Sequence, residues 1–308
     1  MSKKMKYGGI IPALYACYGR DGEVSEERTR SFMRHLLKKG IDGIYVGGSS
    51  GECIYQSVEE RKKTIQCVME EAGGQIPVIV HVACNNTKDS RSLAAYAQEA
   101  GADAIAAIPP IYFKLPEHAV AAYWNSISDA APDTDFIIYN IPQLAGTALT
   151  QSLLRTMLQN KRVIGVKNSS MPVQDIQVQK MIGGDDFIVF NGVDEQFISG
   201  RVIGADGGIG GTYAVMPELF LTMDRLIQDG DLRTALKIQM DIDHIIDMMC
   251  GCHGNLYAVM KEILRRREDM DIGGVREPLP QIIKQDTEMI DRCVTAIEEA
   301  LSRYCRED

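Results

Sequence analysis

Short apolar runs alternate with amphipathic stretches along most of the chain. The runs Gly9–Ala16, Gly43–Gly48, Pro77–Ala83, Ala104–Pro110, Asp135–Pro142, Val163–Lys167, Phe187–Asn191 and Gly207–Tyr213 each predict a strand. Runs such as Val163–Val166 are apolar on both faces, as in a parallel sheet covered on both sides. The stretches between them carry helix signals. Ser25 precedes two glutamates, Ser57 stands three residues before Glu60, and Thr150 opens the stretch after the fifth run. A side-chain oxygen at such a position accepts from an otherwise unpaired N–H of the first turn. Gly40 is placed to stop the first helix, and further helices are predicted over Thr87–Ala100 and Pro116–Ala130. Strand and helix alternating at a period of roughly 25 to 30 residues is the pattern of a TIM (β/α)8 barrel. A doubly wound open sheet is the rival. No strand of the first unit leads directly into GxGxxG and a helix, which weakens a dinucleotide-binding reading.

From about Asp231 only helical patterns remain: Leu232–Met249, Asn255–Arg267 and Asp286–Arg303, with Gly273–Pro280 linking the last two. The expected division is a catalytic barrel over residues 1–230 and a C-terminal helical extension over 231–308. The extension is expected to pack on the barrel and not to form an independent unit.

Composition narrows the partners more than the fold. Hydrophobic residues make up 45% of the 308 and charged residues 24%, which suits an ordinary globular core. A formal charge of −9 argues against nucleic acid, whose phosphates need a basic surface. The eight cysteines are scattered without a CxxC pair, so no disulfide framework is expected and a reducing cytoplasm is the natural home. The amino terminus has lysines but no apolar stretch behind them, and no run approaches the roughly 20 residues of a membrane span, so neither a signal peptide nor a membrane partner is expected. Cys250, Cys252 and His253 are metal-ligand types at poor spacing for zinc, and His81 and Cys84 read as core residues. No metal is expected.

The candidate chemistry centres on Lys167, at the end of the sixth run. A lysine there either snorkels out to a carboxylate or serves as a desolvated amine that attacks a carbonyl. Active sites of such barrels lie at the C-terminal strand ends. Those ends carry Gly47–Glu52, Tyr112, Tyr139 and Asn140, Lys167, the segment Asn191–Glu195 and the segment Gly208–Tyr213. Polar and reactive residues thus gather at one end, which favours the nucleophile. A class I aldolase fits: the amine condenses with a ketone, the iminium accepts an electron pair, and Tyr139 on the adjacent strand is placed to move the proton. Ser49 and Ser50, in a small-residue loop, can receive an anion, and a keto acid's carboxylate is the natural candidate.

The motifs Gly47–Glu52, Tyr139–Pro142, Gly165–Lys167 and Gly204–Gly210 together resemble the dihydrodipicolinate synthase/N-acetylneuraminate lyase family, over nearly the whole chain and in the family's order and spacing. The resemblance implies that Lys167 forms a Schiff base with pyruvate or another 2-keto acid. It implies that Tyr139 shuttles the proton and that Ser49 and Ser50 hold the carboxylate. It implies that Tyr112 reaches into a neighbour's site in a homotetramer built as a dimer of dimers. No cofactor beyond the lysine is implied. Synthases of the family carry an arginine where Leu144 stands here, whereas the lyases carry an apolar residue there and a G-x-D-E segment, matched by Gly192, Asp194 and Glu195. Ser169 and Gly210 are counted with these as substrate-binding residues. Where the lyases tend to have a serine after Gly210, this chain has Gly211, and the run Ile108–Phe113 also departs from the family pattern. The lyase branch implies cleavage of sialic acid to pyruvate and N-acetylmannosamine. A 4-hydroxy-tetrahydrodipicolinate synthase, another 2-keto-3-deoxy sugar acid aldolase, and a non-catalytic keto-acid-binding protein remain the alternatives.

Overall fold

The computed structural model describes residues 3–305. Met1, Ser2 and residues 306–308, at the ends of the two expected units, lie outside the described residues. Eight parallel strands run round a barrel: β1 (Gly9–Pro12), β2 (Ile44–Val46), β3 (Val78–His81), β4 (Ala104–Ala107), β5 (Asp135–Asn140), β6 (Val163–Asn168), β7 (Ile188–Asn191) and β8 (Gly207–Gly210). Each pairs with its neighbour in sequence, and β1 pairs with β8. A bridge from Ala13 to Tyr45 joins β1 to β2, where Leu14 N donates to the Tyr45 carbonyl at 2.9 Å. This is the predicted TIM barrel.

Several strands are shorter than the runs that predicted them. Tyr15 and Ala16 are buried like a strand but lie beyond the ladder, Pro109 and Pro110 offer no N–H, and Thr212–Ala214 forms a 3-10 turn. Apolar sequence reports burial, and buried loops share it.

The helices are α1 (Lys3–Tyr7), α2 (Glu26–Lys38), α3 (Val58–Ala72), α4 (Thr87–Glu99), α5 (Glu117–Asp129), α6 (Pro142–Ala145), α7 (Gln151–Met157), α8 (Gln174–Gly183), α9 (Phe197–Val202) and α10 (Pro217–Gln228), then α11 (Leu232–Cys250), α12 (Leu256–Glu268) and α13 (Thr287–Tyr304). The predicted caps are present. Ser25 accepts from Arg28 N, Thr150 accepts from Leu153 N, and Ser57 and Glu60 form a reciprocal capping box. Helices α8, α9 and α10 have no side-chain cap, which is why the sequence does not delimit them.

The core has two layers. Ile11, Ile79, Ile137, Ile164, Phe190 and Ile209 fill the barrel, while Ile10, Val78, Val80, Phe136, Val163 and Val166 pack outward against the helices. Alternation along a strand produces this division. On β6 the alternation is interrupted. Phe136 pairs with Val163 but Ile137 pairs with Gly165, so β6 carries one extra residue, Ile164. Ile164 points inward, yet Val166 faces the helices and Lys167 faces the barrel interior. Without the irregularity the phase would put Lys167 outside, because a one-residue slip exchanges the faces. Gly165 is the residue that permits it: a Cβ there would overlap the carbonyl oxygen of Ile188.

Helices α10, α11 and α13 pack on one another, and α12 packs on α11 and α13. Lys261 Nζ of α12 meets Glu52 Oε1 at 2.7 Å, with both side chains essentially out of solvent.

Candidate active site

Tyr139 and Lys167 are register partners across the β5–β6 ladder, followed by Asn140 and Asn168. A buried network pins both strand ends. Asn140 Nδ2 and Gln179 Nε2 donate to Asn168 Oδ1 at 2.7 and 2.9 Å, Asn168 Nδ2 donates to Ser170 Oγ at 2.9 Å, and Ser170 Oγ donates to Asp175 at 2.7 Å. Residues beside Lys167 are thereby fixed, while the lysine itself is left free of that network.

Lys167 is 5% exposed, and its Nζ lies 3.9 Å from the ring centroid of Tyr139 and 4.7 Å from that of Tyr45. Among the described residues it forms no ion pair and no hydrogen bond. The snorkelling alternative required a carboxylate partner, and none is there. Two aromatic faces offset part of the cost of burying a cation, and the remainder calls for a functional explanation.

A cavity of about 250 Å³ opens above this amine, lined by Ser49, Ser50, Tyr139, Lys167, Ser169, Gly192, Asp194 and Glu195 among others. Ser169 Oγ is buried there without a hydrogen-bond partner. In the small-residue loop, Gly51 N and Glu52 N are taken up by turn bonds to Gly48 O and Ser49 O. The N–H groups of Ser49 and Ser50 have no protein acceptor among the described residues. Glu52, at the end of that loop, turns away from the cavity to Lys261 and accepts from Arg276 N at 2.8 Å.

The acidic segment is asymmetric. Asp194 is buried, and its Oδ2 accepts from Thr212 N and Thr212 Oγ1, each at 2.7 Å. Burial nevertheless pushes its carboxyl up to about 6, against the pull of the Thr212 bonds. Glu195 is exposed at the mouth. Gly192 is a clearance residue, since a Cβ there would overlap Ser169 Oγ. Gly210 does not line the cavity; a Cβ there would overlap Asp194 Oδ1 and the Tyr213 ring, and it is Gly211 that forms part of the wall.

Tyr112 is not brought into this cavity within one chain. It is 91% exposed, has a positive φ of 82°, and packs edge-on against Phe113 at 4.9 Å. The cavity also has a wall absent from the residue reading: Ile246 and Cys250 of α11, and Leu256, Tyr257 and Met260 of α12. Burial pushes the Tyr257 phenol up, and its ring lines the same cavity as Ser50. Nothing local in sequence ties residue 257 to residue 50. A wider cleft of about 770 Å³ lies between the β1–α2 loop and α12, but its Arg28, Lys261, Arg265 and Arg276 are each already paired with a carboxylate.

Over residues 6–297 the chain matches the model of the dihydrodipicolinate synthetase family. The chain belongs to that family. It is 57% identical over 299 residues to an N-acetylneuraminate lyase of Mediterraneibacter gnavus, covering 97% of this chain and 95% of that protein. It is 33% identical over 270 residues to an N-acetylneuraminate lyase of Escherichia coli strain SE11, covering 88% and 90%. The wild-type sialic acid aldolase of Ruminococcus gnavus superposes with a TM-score of 0.96 at 57% identity, over 97% of this chain and 99% of that one. A catalytic lysine mutant of the same aldolase gives 0.97 at 56%, over 99% and 100%. At this likeness this member of the dihydrodipicolinate synthetase family is a carbon–carbon lyase of the class I aldolase kind, and such aldolases use no external cofactor. Among the described residues no group of three or more His, Cys, Asp or Glu side chains could hold a metal, and no helix is long and apolar enough to cross a membrane.

Proposed function

We propose that the chain cleaves N-acetylneuraminate reversibly into pyruvate and N-acetylmannosamine, with Lys167 as the Schiff-base nucleophile. The observation that carries this is the unpaired, buried Lys167 amine over the Tyr139 ring, at the mouth of a barrel 57% identical to a sialic acid lyase. In the cleavage direction the Lys167 amine adds to the C2 ketone and water leaves, giving a protonated Schiff base. Tyr139 takes the proton of the C4 hydroxyl. The C3–C4 bond breaks, its electron pair passes into the iminium to form an enamine, and the aldehyde departs. Protonation at C3 and hydrolysis then release pyruvate and regenerate the amine.

Ser49 and Ser50 are assigned to the substrate carboxylate, supported by their unclaimed N–H groups. Ser169, with its unpartnered hydroxyl, Asp194 and Glu195 are assigned to the hydroxyl-bearing chain of the sugar. Leu144 stands at the rim, 63% exposed, where a carboxylate-bearing aldehyde would find no cation. The homotetramer, the role of Tyr112 in a neighbour's site and the cytoplasmic setting belong to the same proposal. They are supported by the exposed Tyr112–Phe113 pair, which a second copy would cover.

Borohydride reduction in the presence of pyruvate, followed by peptide mass spectrometry, tests the nucleophile: the label is expected on Lys167, and a label elsewhere or nowhere would sink the mechanism. A panel of aldehydes tests the branch. Condensation of pyruvate with N-acetylmannosamine is expected, whereas efficient turnover of aspartate semialdehyde alone would assign the chain to the synthases. Turnover of other sugar-derived aldehydes alone would make it a different keto-sugar-acid aldolase. Binding of pyruvate with no turnover on any aldehyde would make it a keto-acid sensor.

A further inference from the structure

The two halves of the cavity are held by different elements, and the aldehyde half is held from α11. Gln239, in the middle of α11, is 3% exposed and projects its amide onto the turn after β7. Its Nε2 donates to the Asp194 carbonyl oxygen at 3.1 Å, and its Oε1 accepts from Ile198 N at 3.0 Å. The amide therefore bridges the two ends of the segment Asp194–Ile198, which includes Glu195. Asp243, one turn further along α11, accepts from the same Nε2 at 2.8 Å. An ionised carboxylate only accepts, so Asp243 fixes which end of the Gln239 amide faces Asp194. From the barrel side, Thr212 holds the Asp194 side chain. Gln239 holds the backbone that carries it.

We infer that Gln239 is a positioning residue for aldehyde recognition, setting the placement of Asp194 and Glu195 without touching substrate. The inference rests on the assignment of those two carboxylates to the sugar's hydroxyls. It separates α11 from the keto-acid half of the site, where Lys167 and Tyr139 are fixed by the β5–β6 ladder and Asn168. Gln239→Glu makes a sensitive probe. Its carboxylate would face the Asp194 carbonyl and Asp243, three acceptors with no donor among them, and protonation would restore one donor.

The experiment measures condensation kinetics with pyruvate and N-acetylmannosamine varied separately. In Gln239→Leu the KM for N-acetylmannosamine is expected to rise about ten-fold or more, as for loss of buried hydrogen bonds. The KM for pyruvate and the rate of pyruvate-dependent borohydride trapping should stay within about two-fold of wild type. In Gln239→Glu the same selective rise is expected at pH 7.5, shrinking towards pH 5.5 relative to wild type at each pH. If Gln239→Leu fails to fold, Gln239→Glu decides alone. Parallel changes in both KM values, or no change in either, would overturn the inference. Asp194→Ala is the companion measurement. If it leaves the N-acetylmannosamine KM unchanged, the carboxylate assignment fails. If it raises that KM while the Gln239 variants do not, only the positioning role fails.

Discussion

At the scale of single residues, the site is built from groups that pay for burial without the usual partners. Among the described residues, Lys167 has aromatic faces and no carboxylate, and the Ser169 hydroxyl has no hydrogen-bond partner. Tyr139→Phe keeps the ring under the amine and removes the hydroxyl. It is expected to leave pyruvate-dependent trapping of Lys167 in place while lowering kcat for cleavage by about 10²- to 10⁴-fold, the range of a lost general acid–base group; steady-state and trapping assays on one preparation separate the two effects. Asp194 makes a second prediction. Its folded carboxyl, near 6, holds a proton more tightly than the ordinary value of 3.8. The folded state therefore binds more protons than the unfolded state between those values, and this group's contribution to stability falls as pH rises from about 4 to about 6. Asp194→Asn keeps an oxygen for Thr212 and removes the buried charge. Thermal melts at pH 7.5 should show an unchanged or higher Tm, while the KM for N-acetylmannosamine rises. A clear drop in Tm would mean that the Thr212 bonds outweigh the cost of burying the ionised carboxylate.

At the scale of elements, strand order and most helix starts were legible, because alternation, capping residues and glycine stops act locally in sequence. The placement of Lys167, Tyr139 and the serine loop at one end of the barrel followed from the same reading. What was not legible acts at a distance. The extra residue on β6, which turns Lys167 inward, depends on register with β5. A Gly165 side chain would collide with backbone, which cannot swing aside, so Gly165→Ala should lower stability by about 1–3 kcal/mol as overpacking does and reduce trapping of Lys167 further than the melt explains. Denaturant titration beside the trapping rate checks this; an unperturbed trapping rate would mean that β6 tolerates a Cβ without turning the lysine. The wall supplied by α11 and α12 was equally hidden, since Tyr257 and Gln239 meet residues 50 and 194 only through packing. Lys261 ties α12 to the end of the serine loop by a pair buried on both sides. Lys261→Met strands the Glu52 carboxylate and should cost about 3–5 kcal/mol, much of it recovered in the double variant with Glu52→Gln. A double-mutant cycle by urea unfolding measures the coupling, and additivity would show that the pair is not what joins the two elements.

For the whole molecule, the single chain leaves its most exposed aromatic residues beside the catalytic face. Tyr112 and Phe113 are 91% and 72% exposed, and Tyr112 adopts a left-handed backbone that a tyrosine rarely takes. Large aromatic side chains offered to water in a held conformation suit a covered surface better than a free one. The cavity above Lys167 has no lining residue from its own β4 loop, and in the proposed assembly Tyr112 serves a second copy's site instead. If that assembly forms, Phe113→Glu should weaken association by placing a charge in its interface, and sedimentation velocity should show smaller species at equal protein concentration. Tyr112→Phe should preserve the assembly and lower kcat, because only the hydroxyl is lost. The contrast is the test: loss of activity in Phe113→Glu that returns at high protein concentration, beside a concentration-independent loss in Tyr112→Phe, would place the tyrosine in the neighbour's site. Full activity in a dissociated Phe113→Glu monomer would show that each barrel completes its own.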